Sequence, residues 1–456
     1  MERTGASGPV LFWIAAALLV FAPLVWGGNR PVPLLVLECL SLAGLAILVW
    51  SDEIAAAWSR LPALLRWGLA VLLVTPLLQL IPLPTSWWLA LPGHGAYEPV
   101  LEIAAARDGW RPISLHPRAT EYAWLALLPC VAIFLLVSAL SRREVRKLAW
   151  LFVAIAIAEA ILGILQVGAG KDSLLTLGNP FGGGAASGTY INKNHFAALM
   201  AMALPMALAF WAMETLPPVD QHGERLREHP RHADRQFARR LLWSLLIVLL
   251  IAALLFTRSR AGIGCGLAAF GAASLAMVWN AATLRLRIGL VSLAGLAILL
   301  AAYVGLTPIL ERFAPEELAL SYEGRLRIAG AAVAGALEFL PLGSGLGTFA
   351  DVFRRFQTEG LTGFIDHAHN DYAELFLELG VAGIVVVVLL GAAYVMRWGA
   401  LTSRRLSRTL GYLQVAAGMG LLAMAAHGFF DFNFHIPANA IGFSFLAAVF
   451  FHQRAS

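Results

Sequence analysis

Charged residues are scarce in this sequence, and their scarcity excludes most classes of soluble protein. Only 13% of the 456 residues are Asp, Glu, Lys or Arg, whereas a soluble globular chain carries about a quarter. Hydrophobic residues make up 59%, and apolar runs of about 20 residues recur from end to end, which leaves no room for a soluble domain. The composition therefore predicts a single polytopic membrane domain over residues 1–456.

Lysine and cysteine are rarer still. The chain has three of each, and its net charge of +5 rests on arginines that lie mostly in short loops between apolar runs. A nucleic-acid-binding protein concentrates its basic residues on one accessible face, so this distribution does not favour that class. The three cysteines all lie within apolar segments, where packing is their expected role, and their spacing supports neither a disulfide framework nor a zinc site.

Long apolar runs are what the sequence has instead. Each run is most simply a transmembrane helix, because unpaired backbone groups are costly in hydrocarbon. The predicted fold is all-α, with about twelve transmembrane helices at residues 10–27, 33–50, 62–83, 120–140, 147–169, 195–216, 239–257, 261–279, 288–306, 374–396, 409–430 and 438–452.

The orientation of the helices follows from the arginines. If the spans alternate, the arginine-rich segments 141–146, 217–238 and 397–408 all fall on one side, and both chain ends fall there too. The positive-inside bias predicts that this side is the cytoplasm. The opposite, periplasmic side then receives segments 84–119 and 170–194 and a large loop, 307–373, before helix 10. A loop of that length is usually functional, so we expect 307–373 to be partly helical and to form part of an active site.

The densest polar cluster runs from Asp366 to Gly380, at the entry to span ten. If it is helical from about His367, one stripe carries His367, Asp371, Glu374 and Glu378. A histidine there can take a proton from an attacking hydroxyl near neutral pH, with a carboxylate fixing its tautomer. On an ideal helix His367 and His369 project about 200° apart, so only one of them could face a given acceptor.

Two other interpretations of this cluster compete with catalysis. The segment could merely cap a helix at a wet interface. The His-x-His pair also invites a metal site, but two histidines two residues apart fit metal geometry poorly on a helix, and no cysteine or further histidine motif lies nearby. We therefore predict no metal.

A second cluster lies in the tight outer turn between spans seven and eight. Arg258 and Arg260 stand at the outer ends of apolar helices, against the charge bias that orients the chain. A guanidinium offers a planar fork of donors that matches phosphate oxygens, so these side chains suit a lipid-linked phosphate or diphosphate. Arg325 and Arg327 in the large loop could add to the same site. The alternatives are snorkelling to headgroups or pairing with internal acids such as Glu159.

Further polar residues stand at the starts of other spans. The start of span six carries Asn192, Lys193, Asn194 and His195, which offer donors, a positive charge and a titratable ring to a sugar or phosphate, although Asn192 or Asn194 could also be an ordinary N-cap. The glycine-rich run 343–349 lacks the strand and helix context of a dinucleotide site, and a turn is expected there. For His427, Asp431 and His435, packing or support of the site is the expected role.

Several of these pieces, in this order, resemble the O-antigen ligase and O-antigen polymerase superfamily. The matching segments span about residues 110 to 445 and are Ile113-Ser-Leu-His-Pro117, Asn192-Lys-Asn-His-Phe-Ala197, Ser259-Arg-Ala, Gly324-Arg325, Leu340-Pro-Leu-Gly-Ser-Gly-Leu-Gly-Thr-Phe349, His367-Ala-His-Asn-Asp-Tyr372 and Ile436-Pro-Ala-Asn439. Ala261 departs from the pattern, since glycine is common after the Ser-Arg pair.

The resemblance implies a metal-independent, inverting glycosyltransferase of the bacterial inner membrane that uses no cofactor. Its partners would be an undecaprenyl-diphosphate-linked glycan donor, a glycan acceptor and membrane lipids, with no nucleic acid. It assigns activation of the acceptor hydroxyl to His369 and binding of the donor diphosphate to Arg258, Arg260 and Arg325. The expected supporting or substrate-binding residues are His367, Asn370, Asp371, Glu374, Asn192, Lys193 and His195.

The acceptor remains open within this interpretation. It could be the lipid A core, another repeat unit or a protein hydroxyl, that is, an O-antigen ligase, a polymerase or a protein O-oligosaccharyltransferase. One dominant outer loop favours ligation in lipopolysaccharide biosynthesis. A twelve-helix transporter is the rival from another class, but paired-half transporters show related halves, and here only the second half carries the large loop.

Topology gives the first testable prediction. Single cysteines at positions 230 and 360 should differ in their reaction with an impermeant maleimide, because arginine in short loops puts 217–238 in the cytoplasm and 307–373 in the periplasm. In intact spheroplasts position 360 should react, and position 230 should react only after lysis. The reverse pattern would overturn the orientation.

Overall fold

The computed structural model describes residues 8–215, 230–279, 284, 286–297, 299, 315–358, 361, 363–402 and 410–453, and their side chains except those of 230–233, 315–322 and 402. Three predicted features lie partly outside the described residues: the loops expected at 217–238 and 397–408 and the end of the ninth span. The first part of the large loop, up to residue 314, lies outside them as well.

Helices make up almost all of the described chain. The first half contains α1 (Gly8–Leu24), α2 (Pro31–Trp50), α3 (Glu53–Ser59), α4 (Ala63–Gln79), α5 (Thr85–Leu89), α6 (Glu98–Ile103), α7 (Pro117–Ala126), α8 (Leu128–Ala139), α9 (Arg142–Ala169) and α10 (Lys193–Met213). Two three-residue strands, β1 (Pro82–Pro84) and β2 (Trp110–Pro112), form an antiparallel pair between α4 and α7.

The second half continues in the same way. It contains α11 (Pro230–Phe256), α12 (Arg260–Trp279), α13 (Leu286–Ala297), α14 (Pro315–Glu338), α15 (Phe349–Val352), α16 (Asp371–Leu379), α17 (Val381–Thr402), α18 (Leu410–His427) and α19 (Pro437–Phe451). A 3-10 turn at Asn433–His435 lies in the connection between α18 and α19.

Within the described residues, eight helical segments are long and apolar enough to cross a membrane, and the bent pair α3–α4 would make a ninth. Three shorter apolar helices, α1, α13 and α19, coincide with the other predicted spans. The prediction of a helical, polytopic membrane protein is confirmed, while the count of twelve spans stays a prediction.

α10 lies at the centre of the bundle, and every one of its residues from His195 to Ala212 is buried. Small residues allow its neighbours to approach closely. A Cβ added to Gly262 on α12 would lie 2.5 Å from the Cβ of Ala197, and one added to Gly420 on α18 would lie 3.1 Å from the carbonyl oxygen of Met202. Such contacts between small residues are the usual way in which membrane helices pack tightly.

The tenth span does not begin where the apolar pattern places it. We predicted a start near residue 374, but the chain breaks at Gly380, so α16 is a separate helix and α17 begins at Val381. Gly380 has a φ of +57°, and a Cβ there would lie 2.3 Å from the carbonyl oxygen of Pro341. Only glycine fits this close approach, which separates α16 from the candidate membrane span α17.

The glycine-rich segment after α14 holds this break in place. Ser344 and Gly345 donate backbone hydrogen bonds to the carbonyls of Leu377 and Glu378, at 3.0 Å each, so the segment forms a turn, as expected. A separate apolar cluster of residues from α14, α15 and α16 lies above it. α14 and α16 are therefore packed together next to the outer ends of α10, α18 and α19.

Candidate active site

A buried carboxylate, Asp431, lies at the centre of a polar network in the connection between α18 and α19. Its side chain is fully buried. Asn194 donates to Oδ2 through Nδ2 at 2.6 Å, and the backbone amide of Phe432 donates to Oδ1 at 3.0 Å. The Nδ1 of His369 lies 3.2 Å from Oδ1. These contacts join α10, the loop before α16 and the α18–α19 connection.

The guanidinium of Arg325, on α14, also lies close to Asp431. Its Nη2 lies 3.8 Å from Asp431 Oδ2, and its Nη1 donates to the carbonyl oxygen of Phe430 at 2.5 Å. Burial alone would raise the pKa of Asp431, but the hydrogen bond from His369 and the positive charge of Arg325 hold that pKa well below its usual range. Asp431 is therefore a stable anion.

His369 is held in an unusual backbone conformation just before α16. Its φ is +49°, in the left-handed region that non-glycine residues rarely adopt. The next residue, Asn370, caps α16 by accepting hydrogen bonds from the amides of Tyr372 and Ala373 through its side-chain oxygen. When His369 donates Nδ1–H to Asp431, its Nε2 keeps a lone pair that can accept a proton.

A second imidazole–carboxylate pair lies beside the first. His367 Nδ1 lies 2.8 Å from Oε1 of Glu374, a buried residue of α16. The other oxygen of Glu374, Oε2, accepts a hydrogen bond from the backbone amide of Ala368 at 2.8 Å. The carboxylate therefore fixes both the ring and the backbone of the loop that carries the two histidines.

His435 lies between two carboxylates of α16. Its Nδ1 is 3.2 Å from Asp371 Oδ1, and its Nε2 is 3.2 Å from Glu374 Oε1. Burial would lower the pKa of His435, but Glu374 and Asp371 outweigh burial and raise it to about 10. For Glu374, the effect of burial is in turn outweighed by His435 and His367, so its pKa is lowered. At neutral pH His435 is thus an imidazolium bridging two anions.

The same residues could hold a metal ion. One ligand atom each from His367, Glu374 and His435 lie within 4.8 Å of one another. The sequence argument against a metal relied partly on the lack of a further histidine nearby, and that part was wrong because the fold brings in His435. Hydrogen bonds and ion pairs within the protein already connect these three side chains.

The helical stripe that we predicted for this cluster is wrong at its start. The helix begins at Asp371, not at His367, because Asn370 provides the cap. Both histidines precede it, so the 200° separation on a helix does not apply. They instead contact one aromatic ring, that of Phe432, with ring centroids 4.2 Å away for His367 and 5.1 Å for His369.

The arginine turn lies next to this network. It connects α11 and α12, as predicted, with Arg258 exposed at a φ of +54° and Arg260 as the first residue of α12. In the described part of the chain the Arg258 guanidinium makes no hydrogen bond or ion pair. A Cβ added to Gly262 would contact both Ser259 Oγ and the His427 ring, so the turn lies beside the end of α18 that leads to Asp431.

The predicted site residues at the start of α10 differ in their contacts. Asn192 is the N-cap, since its side-chain oxygen accepts a hydrogen bond from the amide of Asn194 at 2.8 Å. Lys193 is the first helical residue. His195 is buried, its Nε2 lies 4.0 Å from Asp431 Oδ1, and its ring packs against Phe432.

Sequence reasoning undervalued two residues of the site. Asp431 and His435 were expected only to pack or to support, yet each is the centre of a network. Asn194 was named as a possible ligand-binding donor or N-cap, and in the structure its side chain donates to Asp431. The sequence did contain a signal for the importance of Asp431 and His435. Asp431 and His435 are ionisable residues between two apolar spans, the same feature that drew attention to 366–380.

The charge state of His435 gives a prediction on stability. Its pKa is raised from about 6.5 to about 10, so its contribution to stability is complete below pH 6.5 and is lost as the pH rises towards 10. In thermal unfolding measured in detergent, the difference in melting temperature between wild type and His435→Gln should shrink as the pH rises from 6.5 to 10. Parallel curves for the two proteins between pH 6.5 and 10 would contradict the assignment.

Comparison with known sequences adds one finding. The sequence profile described as O-antigen ligase matches residues 245–388, which include α12, α14, α16, Arg258, Arg260, Arg325 and His369. No curated protein sequence matches the chain significantly. The profile match, which covers less than half of the chain, and the polytopic helical fold support a relationship to the O-antigen ligase superfamily of ligase- and polymerase-type glycosyltransferases.

Proposed function

We propose that this protein transfers a glycan from undecaprenyl diphosphate to an acceptor hydroxyl on the periplasmic face of the bacterial inner membrane, with both chain termini in the cytoplasm. One observation carries the proposal. His369 has its Nδ1 on the buried anion Asp431, and Arg325 reaches the same carboxylate. A base and a cation that could meet phosphate are thereby brought into one network.

The proposed reaction is a single displacement. The acceptor oxygen attacks the anomeric carbon while the bond from that carbon to the diphosphate oxygen breaks, and the acceptor proton passes to His369 Nε2. Asp431 fixes the tautomer of His369 and stabilises the imidazolium that forms, as the carboxylate of a catalytic triad does. Attack from the side opposite the leaving group inverts the anomeric configuration.

The leaving diphosphate gains negative charge as the bond breaks. Fixed guanidinium donors stabilise that charge best when they need no rearrangement during the reaction. Arg325 is half-exposed and anchored through Phe430 and Asp431, while Arg258 projects its guanidinium from the outer turn. We assign donor binding to Arg258, Arg260 and Arg325, with Asn192, Lys193, His195, Asn370 and Asp371 in support.

Ligation of O-antigen to the lipid A core is the activity we favour, as a step of lipopolysaccharide biosynthesis. The dominance of the loop expected at 307–373 over that at 84–119 favours ligation over polymerisation of O-antigen or exopolysaccharide, and transfer to protein stays an alternative. Incubating the purified protein with a lipid-linked glycan and each class of acceptor, then identifying the product by mass spectrometry, tests this choice.

The reaction as proposed requires neither cofactor nor metal, because the histidine supplies the base and the arginines supply the positive charge. Transfer should therefore continue in EDTA at the same rate. Loss of activity in EDTA that Zn²⁺ or Mg²⁺ restores would show that a metal takes part.

The base is tested by His369→Ala. Transfer should fall on the order of 100- to 10,000-fold, the usual contribution of a general base, while donor binding stays unchanged. His116→Ala is a matched control, since His116 is half-exposed and bonded to Asp351 outside the Asp431 network. An active His369→Ala protein alongside an inactive His367→Ala protein would move the base to His367.

The arginines are tested by comparing two substitutions at each position. Arg258→Ala or Arg260→Ala should reduce transfer more than Arg→Lys at the same position, because lysine keeps the charge but loses the planar fork. Donor binding measured alongside turnover separates capture of the diphosphate from stabilisation of the leaving group. Equal activities of the alanine and lysine variants would remove the phosphate role.

A further inference from the structure

Two imidazole–carboxylate pairs face one aromatic ring at the mouth of the bundle. His367 stacks on Phe432 with the ring planes 19° apart, and His369 meets the same ring at 66°. Each histidine uses Nδ1 for its carboxylate, Glu374 for the first and Asp431 for the second. The arrangement is duplicated, although the reaction proposed above uses only one of the two pairs.

The two Nε2 atoms share two features. Among the described residues neither atom has a hydrogen-bond partner. The side chains are exposed to similar extents, 23% for His367 and 29% for His369. A carboxylate that accepts Nδ1–H leaves a lone pair on Nε2, so both rings can accept a hydrogen bond from a hydroxyl group.

His367 is not needed to neutralise Glu374. That carboxylate already has the His435 imidazolium at 3.2 Å and the amide of Ala368 at 2.8 Å. Asp371 in turn holds His435 from its other side. Two groups other than His367 therefore fix the position of Glu374. Glu374 in turn holds the Nδ1 edge of the His367 ring, so that the ring is positioned as a preorganised binding group requires.

We infer that the His367–Glu374 pair binds a second hydroxyl group of the acceptor while His369 deprotonates the first. The acceptor would then be a sugar residue that presents two neighbouring hydroxyl groups. An isolated serine or threonine hydroxyl of a protein can engage only one of the two rings. This inference rests on the proposed function and selects among the acceptor classes that the sequence leaves open.

The test combines a change in the enzyme with a change in the acceptor. Transfer is measured to decyl glycosides of common hexoses and heptoses and to a serine-containing peptide, and the best glycoside is then compared with its monodeoxy analogues. His367→Phe keeps a ring against Phe432 but removes both nitrogens. His367→Gln serves if the phenylalanine variant unfolds, and His116→Gln is the matched control.

The expected result is a loss of kcat/KM on the order of 10-fold, the value of one hydrogen bond. It should occur for His367→Phe with the parent glycoside and for wild type with one monodeoxy analogue. The two changes together should cost no more than either alone, because both remove the same hydrogen bond. Donor binding should not change, whereas a structural defect at the site would weaken it, and His116→Gln should leave kcat/KM unchanged with every acceptor.

Other outcomes would overturn the inference. Additive losses for every analogue, or a loss equally large with the serine peptide, would show that His367 supports the fold and binds no hydroxyl. A peptide accepted better than every glycoside would exclude a sugar acceptor. No transfer to any acceptor would remove the proposed function itself, whereas sugar transfer with additive losses would remove only this inference.

Discussion

A buried negative charge organises the outer end of this protein. Removing an ionised carboxylate from water costs several kcal/mol unless partners replace its hydration. Asp431 meets that requirement with an amide from α10, an imidazole from the loop before α16 and a guanidinium from α14. Because each partner comes from a different part of the chain, satisfying this one group determines where three segments meet.

The buried carboxylates of α16 also need partners that replace their hydration. α16 carries Asp371, Glu374 and Glu378, all buried, and His435 supplies the positive charge that two of them share. The third, Glu378, accepts a hydrogen bond from the amide of Phe349 at 3.0 Å and has a pKa raised by burial to about 7. Charge balance at this helix thus depends on a residue more than fifty positions later in the chain.

Much of the fold could be predicted from the sequence because membrane helices are set by local composition. A run of apolar residues must form a helix in hydrocarbon whatever lies around it. The Gly380 break was missed because nothing in the apolar pattern reveals the carbonyl of Pro341, which forbids any side chain there. Helix ends depend on such contacts, whereas helix existence does not.

The site was less predictable for a related reason. Arg258, Arg260 and Arg325 could be recognised one by one, since an arginine at an outer helix end needs an explanation wherever it lies. The roles of Asp431 and His435 follow from partners that are 61 to 237 positions away. The sequence argument about a metal counted only histidines near in sequence, so it could not include His435, which the fold brings next to His367 and Glu374.

The bridging position of His435 also bears on how the protein is made. Synthesis proceeds from the N-terminus, so Asp371 and Glu374 of α16 are made before His435. Until His435 has been made, these two carboxylates lack their common cation, and burying them is unfavourable. The polar pocket therefore cannot close around α16 before the connection between α18 and α19 is in place.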